Sequence, residues 1–169
     1  MAASHSRITD KLRPRPPSLS GIENGAPISA AGVARGAYML ADAKGGKPSV
    51  ILIGTGSEVA LCVDAYEALT REGIAARVVS MPSWELFEQQ DQTYRDSILS
   101  PEVTARVSVE QASVIGWDHY VGMNGAKIGM HTFGSSAPLK DLLTKFGFTP
   151  DKVIAAAKDQ IAKSQRHKS

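Results

Sequence analysis

Ser49-Val50-Ile51-Leu52-Ile53-Gly54-Thr55-Gly56-Ser57-Glu58 is the stretch whose reading decides the fold. Its first half is an apolar run rich in β-branched residues with no polar alternation, the pattern of a strand covered on both faces. A glycine turn follows, and the period then changes. Val59, Cys62, Val63, Tyr66 and Leu69 recur at helical spacing and share one face of a helix over Ser57–Glu72. Thr55 and Glu58 have the spacing of a capping box, and Gly73 stands where a helix end favours glycine. Burying the stripe contributes on the order of 10 kcal/mol gross, before chain entropy is subtracted.

Outward from this unit, Ala75–Ser80 reads as a second buried strand, and strand–helix–strand in this order implies a right-handed crossover between parallel strands. Upstream, Gly36–Ala41 can form a first strand, turned by Gly45-Gly46-Lys47-Pro48. Downstream, a short helix starts at Ser83 and another spans Asp91–Leu99. Strands follow at Ala105–Glu110 and Ala126–Met130, then helices at Pro138–Phe146 and Asp151–Lys163. Thr149-Pro150 supplies an N-cap with proline at the first helical position, while Lys163, Arg166 and Lys168 suit the negative end of a helix dipole. The expected fold over residues 30–169 is a three-layer α/β domain with a mostly parallel sheet of about five strands and helices on both faces.

Composition narrows the function classes. A chain of 169 residues suits one domain that buries roughly 70% of its unfolded surface without a staple. A net charge of +2 gives no field for nucleic acid, and no apolar stretch is long enough to span a membrane. The single cysteine, Cys62, excludes an internal disulfide and a cysteine-based zinc site, and it fits a reducing, cytoplasmic setting. Residues 1–29 differ from the rest. Arg7, Lys11, Arg13, Arg15, Pro14, Pro16 and Pro17 make a flexible, basic, proline-rich leader, read as an unstructured linker, an interaction tail or part of a transit peptide.

Few residues offer chemistry. The turn at Thr55, Gly56 and Ser57 is a candidate anion site, since free amides at a helix start attract negative charge. However, Val59 replaces the third glycine of a dinucleotide fingerprint, and Glu58 brings a carboxylate to the same place. Trp117-Asp118-His119-Tyr120 gathers an acid, an imidazole and two aromatics. Neighbouring side chains point apart, so a structural or interface cluster is the expected role. Glu110, at a strand end, reads as a hydrogen-bonded structural carboxylate. Cys62, on the apolar helix face, reads as an inert thiol. His5, His119, His131 and His167 show no metal-ligand spacing.

Four blocks in order carry a resemblance: Gly32–Tyr38, Gly54–Val59, Ser80–Phe87 and Gly129–Pro138, closed by Phe146-Gly147-Phe148-Thr149. Over residues 30–163 the chain resembles the C-terminal domain of transketolase. Trp84-Glu85-Leu86-Phe87 and Thr132-Phe133-Gly134 favour that family over deoxyxylulose-phosphate synthase and the pyruvate dehydrogenase β chain. The resemblance implies a parent enzyme of the pentose phosphate pathway that moves two-carbon ketol units between sugar phosphates. That parent uses thiamine diphosphate and Mg, held between two other domains of a homodimer. It implies no catalytic, cofactor-binding or metal-binding residue in this chain. The metal pattern that begins Gly-Asp-Gly is absent, and the leader lacks the family's Ser-Arg-Gln, so Arg13 and Arg15 inherit no substrate role. His131 stands where the family commonly has aspartate. The implied role is structural, in the dimer interface, with the cofactor domains or a cofactor-bearing subunit as partner. A stand-alone anion-binding regulatory module and the small subunit of a split thiamine-diphosphate enzyme are the alternatives.

Overall fold

The structure, a computed structural model, describes residues 30–130 and 148–166. The leader, His131 and the helix expected over Pro138–Phe146 lie outside the described residues. Six helices are described: α1 (Ala30–Ala34), α2 (Val59–Arg71), α3 (Trp84–Glu88), α4 (Gln92–Ile98), α5 (Asp118–Val121) and α6 (Pro150–Arg166). Five strands form one sheet: β1 (Tyr38–Ala41), β2 (Val50–Gly54), β3 (Ala76–Ser80), β4 (Arg106–Ser113) and β5 (Ala126–Met130). Their order is β1-β3-β2-β4-β5, with every pair parallel except β1 against β3.

The centre of the sheet is buried on both sides, as the unbroken apolar run requires. Val50 and Leu52 of β2 point into one core with Cys62, Val63 and Leu69 of α2 and with Val153 and Ala157 of α6. Ile51 and Ile53 point into the other, with Phe87, Ile98, Leu99, Trp117 and Tyr120 from the layer of α3, α4 and α5. The helical stripe lies as its spacing demands: Cys62, Val63 and Leu69 are buried, and Val59 and Tyr66 pack against them. Ser83 and Asp91 cap α3 and α4, accepting from the amides of Leu86 (3.3 Å) and Tyr94 (2.8 Å).

Two charged residues sit inside the apolar strands. Arg77 of β3 and Arg106 of β4 both align with Ile51 of β2, forming one row across the sheet. Arg77 is 6% exposed and makes a bidentate pair with Asp42, Nε to Oδ1 at 2.8 Å and Nη2 to Oδ2 at 2.9 Å. Its Nη1 donates to the carbonyls of Ser97 (2.8 Å) and Ile98 (3.1 Å) at the end of α4. Arg106 continues along the same backbone, donating to the carbonyls of Leu99 (3.3 Å) and Ser100 (2.9 Å), and also to those of Val103 and Tyr120. Helix-end carbonyls lack internal partners and carry partial negative charge, so guanidinium groups suit them. Burial holds the Arg106 pKa below its ordinary value.

Arg77→Ala leaves Asp42 without its cation and two carbonyls without donors. We expect a loss of about 3 kcal/mol in urea unfolding, within the range for breaking a buried pair. A loss below about 1 kcal/mol, the scale of an exposed pair, would contradict the clamp.

Candidate functional site

In an open α/β sheet, ligands favour the crevice where connections from adjacent strands leave toward opposite faces. Here that point lies between β2 and β4. The chain leaves β2 for α2 in one layer, and leaves β4 for α5 in the other. The turn Thr55-Gly56-Ser57 borders this crevice from β2, and Glu110 borders it from β4. Thr55 Oγ1 donates to Glu110 Oε2 at 2.7 Å, so a structural bond ties the two strand ends together. Glu110 Oε1 accepts from the Ala112 amide at 2.9 Å.

The capping box expected between Thr55 and Glu58 does not form. Thr55 makes no side-chain cap, because its hydroxyl is committed to Glu110. The Glu58 amide instead bonds the Thr55 carbonyl at 3.0 Å, within a 3-10 turn over Gly56–Glu58 that leads into α2. Glu58 is 5% exposed, with Oε1 accepting from Ser57 Oγ at 3.0 Å. Gly54 permits the tight join. A Cβ there would lie 3.0 Å from Val59 Cα and 3.1 Å from Cys62 Sγ, so only glycine lets α2 settle on the strand end. Both hydroxyls of the candidate anion turn thus face carboxylates, and neither acid forms an ion pair among the described residues.

The remaining candidates fall into two groups. Cys62 is buried, and burial, followed by the nearby Glu58 charge, pushes its thiol from 9.0 up to about 12. Trp117, Tyr120 and Trp84 form an aromatic cluster. Trp84 meets Trp117 edge-on at 5.2 Å and Tyr120 at 5.4 Å. Gly116 admits this contact: its φ is +88°, and a Cβ would lie 2.8 Å from the Trp84 ring. His119 faces outward and meets Glu88 at 3.2 Å, while Asp118 pairs with Lys127. The four residues Trp117–Tyr120 therefore diverge into core and surface contacts. Arg77, Asp42 and Arg106 escaped the sequence reading. The available signal was an arginine inside each of two runs that otherwise read as buried strands.

The donor set does not fit thiamine diphosphate with its metal. No group of three or more His, Cys, Asp or Glu side chains is placed to hold a metal among the described residues. The crevice offers two carboxylates where a diphosphate would need cations. A shallow hollow of about 220 Å³ lies at the opposite end of the sheet, lined by Pro48, Ser49, Val103, Thr104, Ile161 and Ser164.

A family model described as the transketolase-like C-terminal domain matches residues 36–149. The chain belongs to the transketolase C-terminal domain family. It is 56% identical over 129 residues to transketolase 1 of Escherichia coli K12, covering 76% of this chain and 19% of that protein. The solved transketolase of Leishmania mexicana superposes with a TM-score of 0.73 at 40% identity, covering 79% of this chain and 19% of that one. A split-gene transketolase, described as an inactive β4 tetramer, superposes at 0.60 with 25% identity, covering 75% of this chain and 42% of that one. The chain thus spans about a fifth of the length of the first curated relatives it matches. Among the described residues, no helix is long and apolar enough to cross a membrane.

Two outcomes follow for the site. Titrated phosphate should leave the Gly56 and Ser57 amide signals unmoved in NMR, because Glu58 and Glu110 oppose an anion there. Saturable shifts would establish an anion pocket. Cys62 should resist thiol reagents until the chain unfolds. Its raised pKa means that the unfolded thiol ionises above pH 9 while the folded one stays protonated. Its contribution to stability is therefore complete below pH 9 and declines as pH rises toward 12. Stability in Cys62→Ala should fall less steeply across that window, and an equal slope would contradict the assignment.

Proposed function

We propose that this chain acts as the C-terminal domain of a transketolase, supporting the fold and dimer of an enzyme whose chemistry lies elsewhere. The parent reaction would be transfer of two-carbon ketol units between sugar phosphates, with thiamine diphosphate and Mg held by other domains or by a separate subunit. A cytoplasmic setting and a role in pentose phosphate interconversion belong to the same proposal. The observation that carries it is the closed crevice. At the place where this fold class binds ligands, Thr55 and Glu110 bond to each other. The remaining titratable groups there are a buried carboxylate and an inert thiol. Such a domain contributes rigidity and surface.

The split-subunit reading keeps a specific support. A split-gene transketolase chain matches this fold while extending well beyond it. Both readings require a cofactor-bearing partner.

The test is exchange. The segment of Escherichia coli transketolase 1 that matches this chain is replaced by residues 30–169, and ketol transfer is measured. We expect activity within about tenfold of the parent, because a domain that makes no transition-state contact should cost little in barrier height. A folded, dimeric chimera with no activity would overturn the proposal.

A further inference from the structure

The two helix layers are finished differently. Five large apolar side chains are exposed among the described residues: Val33, Met39, Leu86, Ile115 and Met123, the last two at 81% and 85%. None belongs to α2 or α6. Leu86 is on α3, and Ile115 and Met123 flank α5. Met39 pairs with Val79, whose side chain lies in the core beneath α3–α5, so the two share a face. Val33 is on α1, which the chain ties to the same layer. Arg35 Nε donates to Gln90 at 3.1 Å, and the Ser83 amide donates to the Gly36 carbonyl at 3.0 Å.

The positions of Ile115 and Met123 are built. The segment carrying Ile115 is pressed against Trp84 through Gly116. His119 of α5 reaches Glu88 of α3, and Arg106 holds the Tyr120 carbonyl. A rigid face that presents apolar groups needs little ordering on binding, which favours association. Single exposed apolar residues are ordinary, but all of them on one layer mark that layer as a contact surface.

The occupant follows from where further chain joins. The matched family describes a C-terminal domain beginning at residue 36, and the curated relatives extend to about five times the matched length. Sequence preceding such a domain enters through α1, on this same side. We propose that Val33, Leu86, Ile115 and Met123 form the surface on which the cofactor-bearing part of a transketolase packs. This inference rests on the functional reading above and names the face that it uses.

Accessibility tests it without destabilising the fold. Ile115→Cys, Met123→Cys and, on α6, Lys152→Cys are introduced separately, both in the full chain and in the Escherichia coli chimera. Thiol labelling is then followed peptide by peptide with mass spectrometry. In the full chain all three should label readily. In the chimera, positions 115 and 123 should slow by about tenfold or more while position 152 is unchanged, since an interface core excludes solvent. Equal labelling at 115 and 123 in an active chimera would overturn the surface and leave the functional reading intact. An inactive, folded chimera would remove that reading and the inference with it. Concentration-dependent protection in the full chain alone would assign the face to a second copy and overturn the proposed occupant.

Discussion

The layer of α3, α4 and α5 depends on two guanidinium groups buried beneath it. Arg77 and Arg106 flank Ile51 across three parallel strands and together hold four successive carbonyls, from Ser97 to Ser100. Asp42 balances one charge, and carbonyl dipoles surround the other. A buried charge is tolerated only when its donors are satisfied, so these helix ends have little freedom to slide. Short helices such as α3 and α5 gain little stability alone. Their placement comes from this clamp and from the aromatic cluster above it.

That constraint explains how a ligand-competent architecture becomes a structural one. The sheet has a switch point between β2 and β4, yet its mouth is spanned by Thr55 and Glu110 at 2.7 Å. With two acids beside the turn and the cysteine thiol buried, the strand ends offer neither a nucleophile nor a cation cluster. What the fixed layer does provide is a firm outer face. The layer of α2 and α6 shows charged pairs such as Lys158–Glu72, whereas the α3–α5 layer shows Ile115 and Met123.

Much of the fold was legible because the patterns were local. Val50–Ile53 announced a strand buried on both faces, and the stripe from Val59 to Leu69 announced the helix packed against it. Thr149 and Pro150 marked the start of α6, with the Thr149 carbonyl accepting from the Lys152 amide at 3.1 Å. The misses involve distant partners. The Thr55 hydroxyl is taken by Glu110, which no local capping rule could foresee. The antiparallel direction of β1 is not written in its four residues. The run of β4 on to Ser113 depends on an irregular register opposite Gly129, where a Cβ would lie 2.4 Å from Val114. At the candidate site, Thr55, Gly56 and Ser57 were placed at the right strand end. The second carboxylate that faces them lay 55 residues away.

The central claim is that this chain carries no cofactor chemistry of its own. Calorimetric titration of the chain with thiamine diphosphate and Mg, followed by a ketol-transfer assay on the same sample, tests it most directly. The account predicts no saturable heat and no transfer above the buffer control. Stoichiometric binding, or turnover by the chain alone, would contradict it.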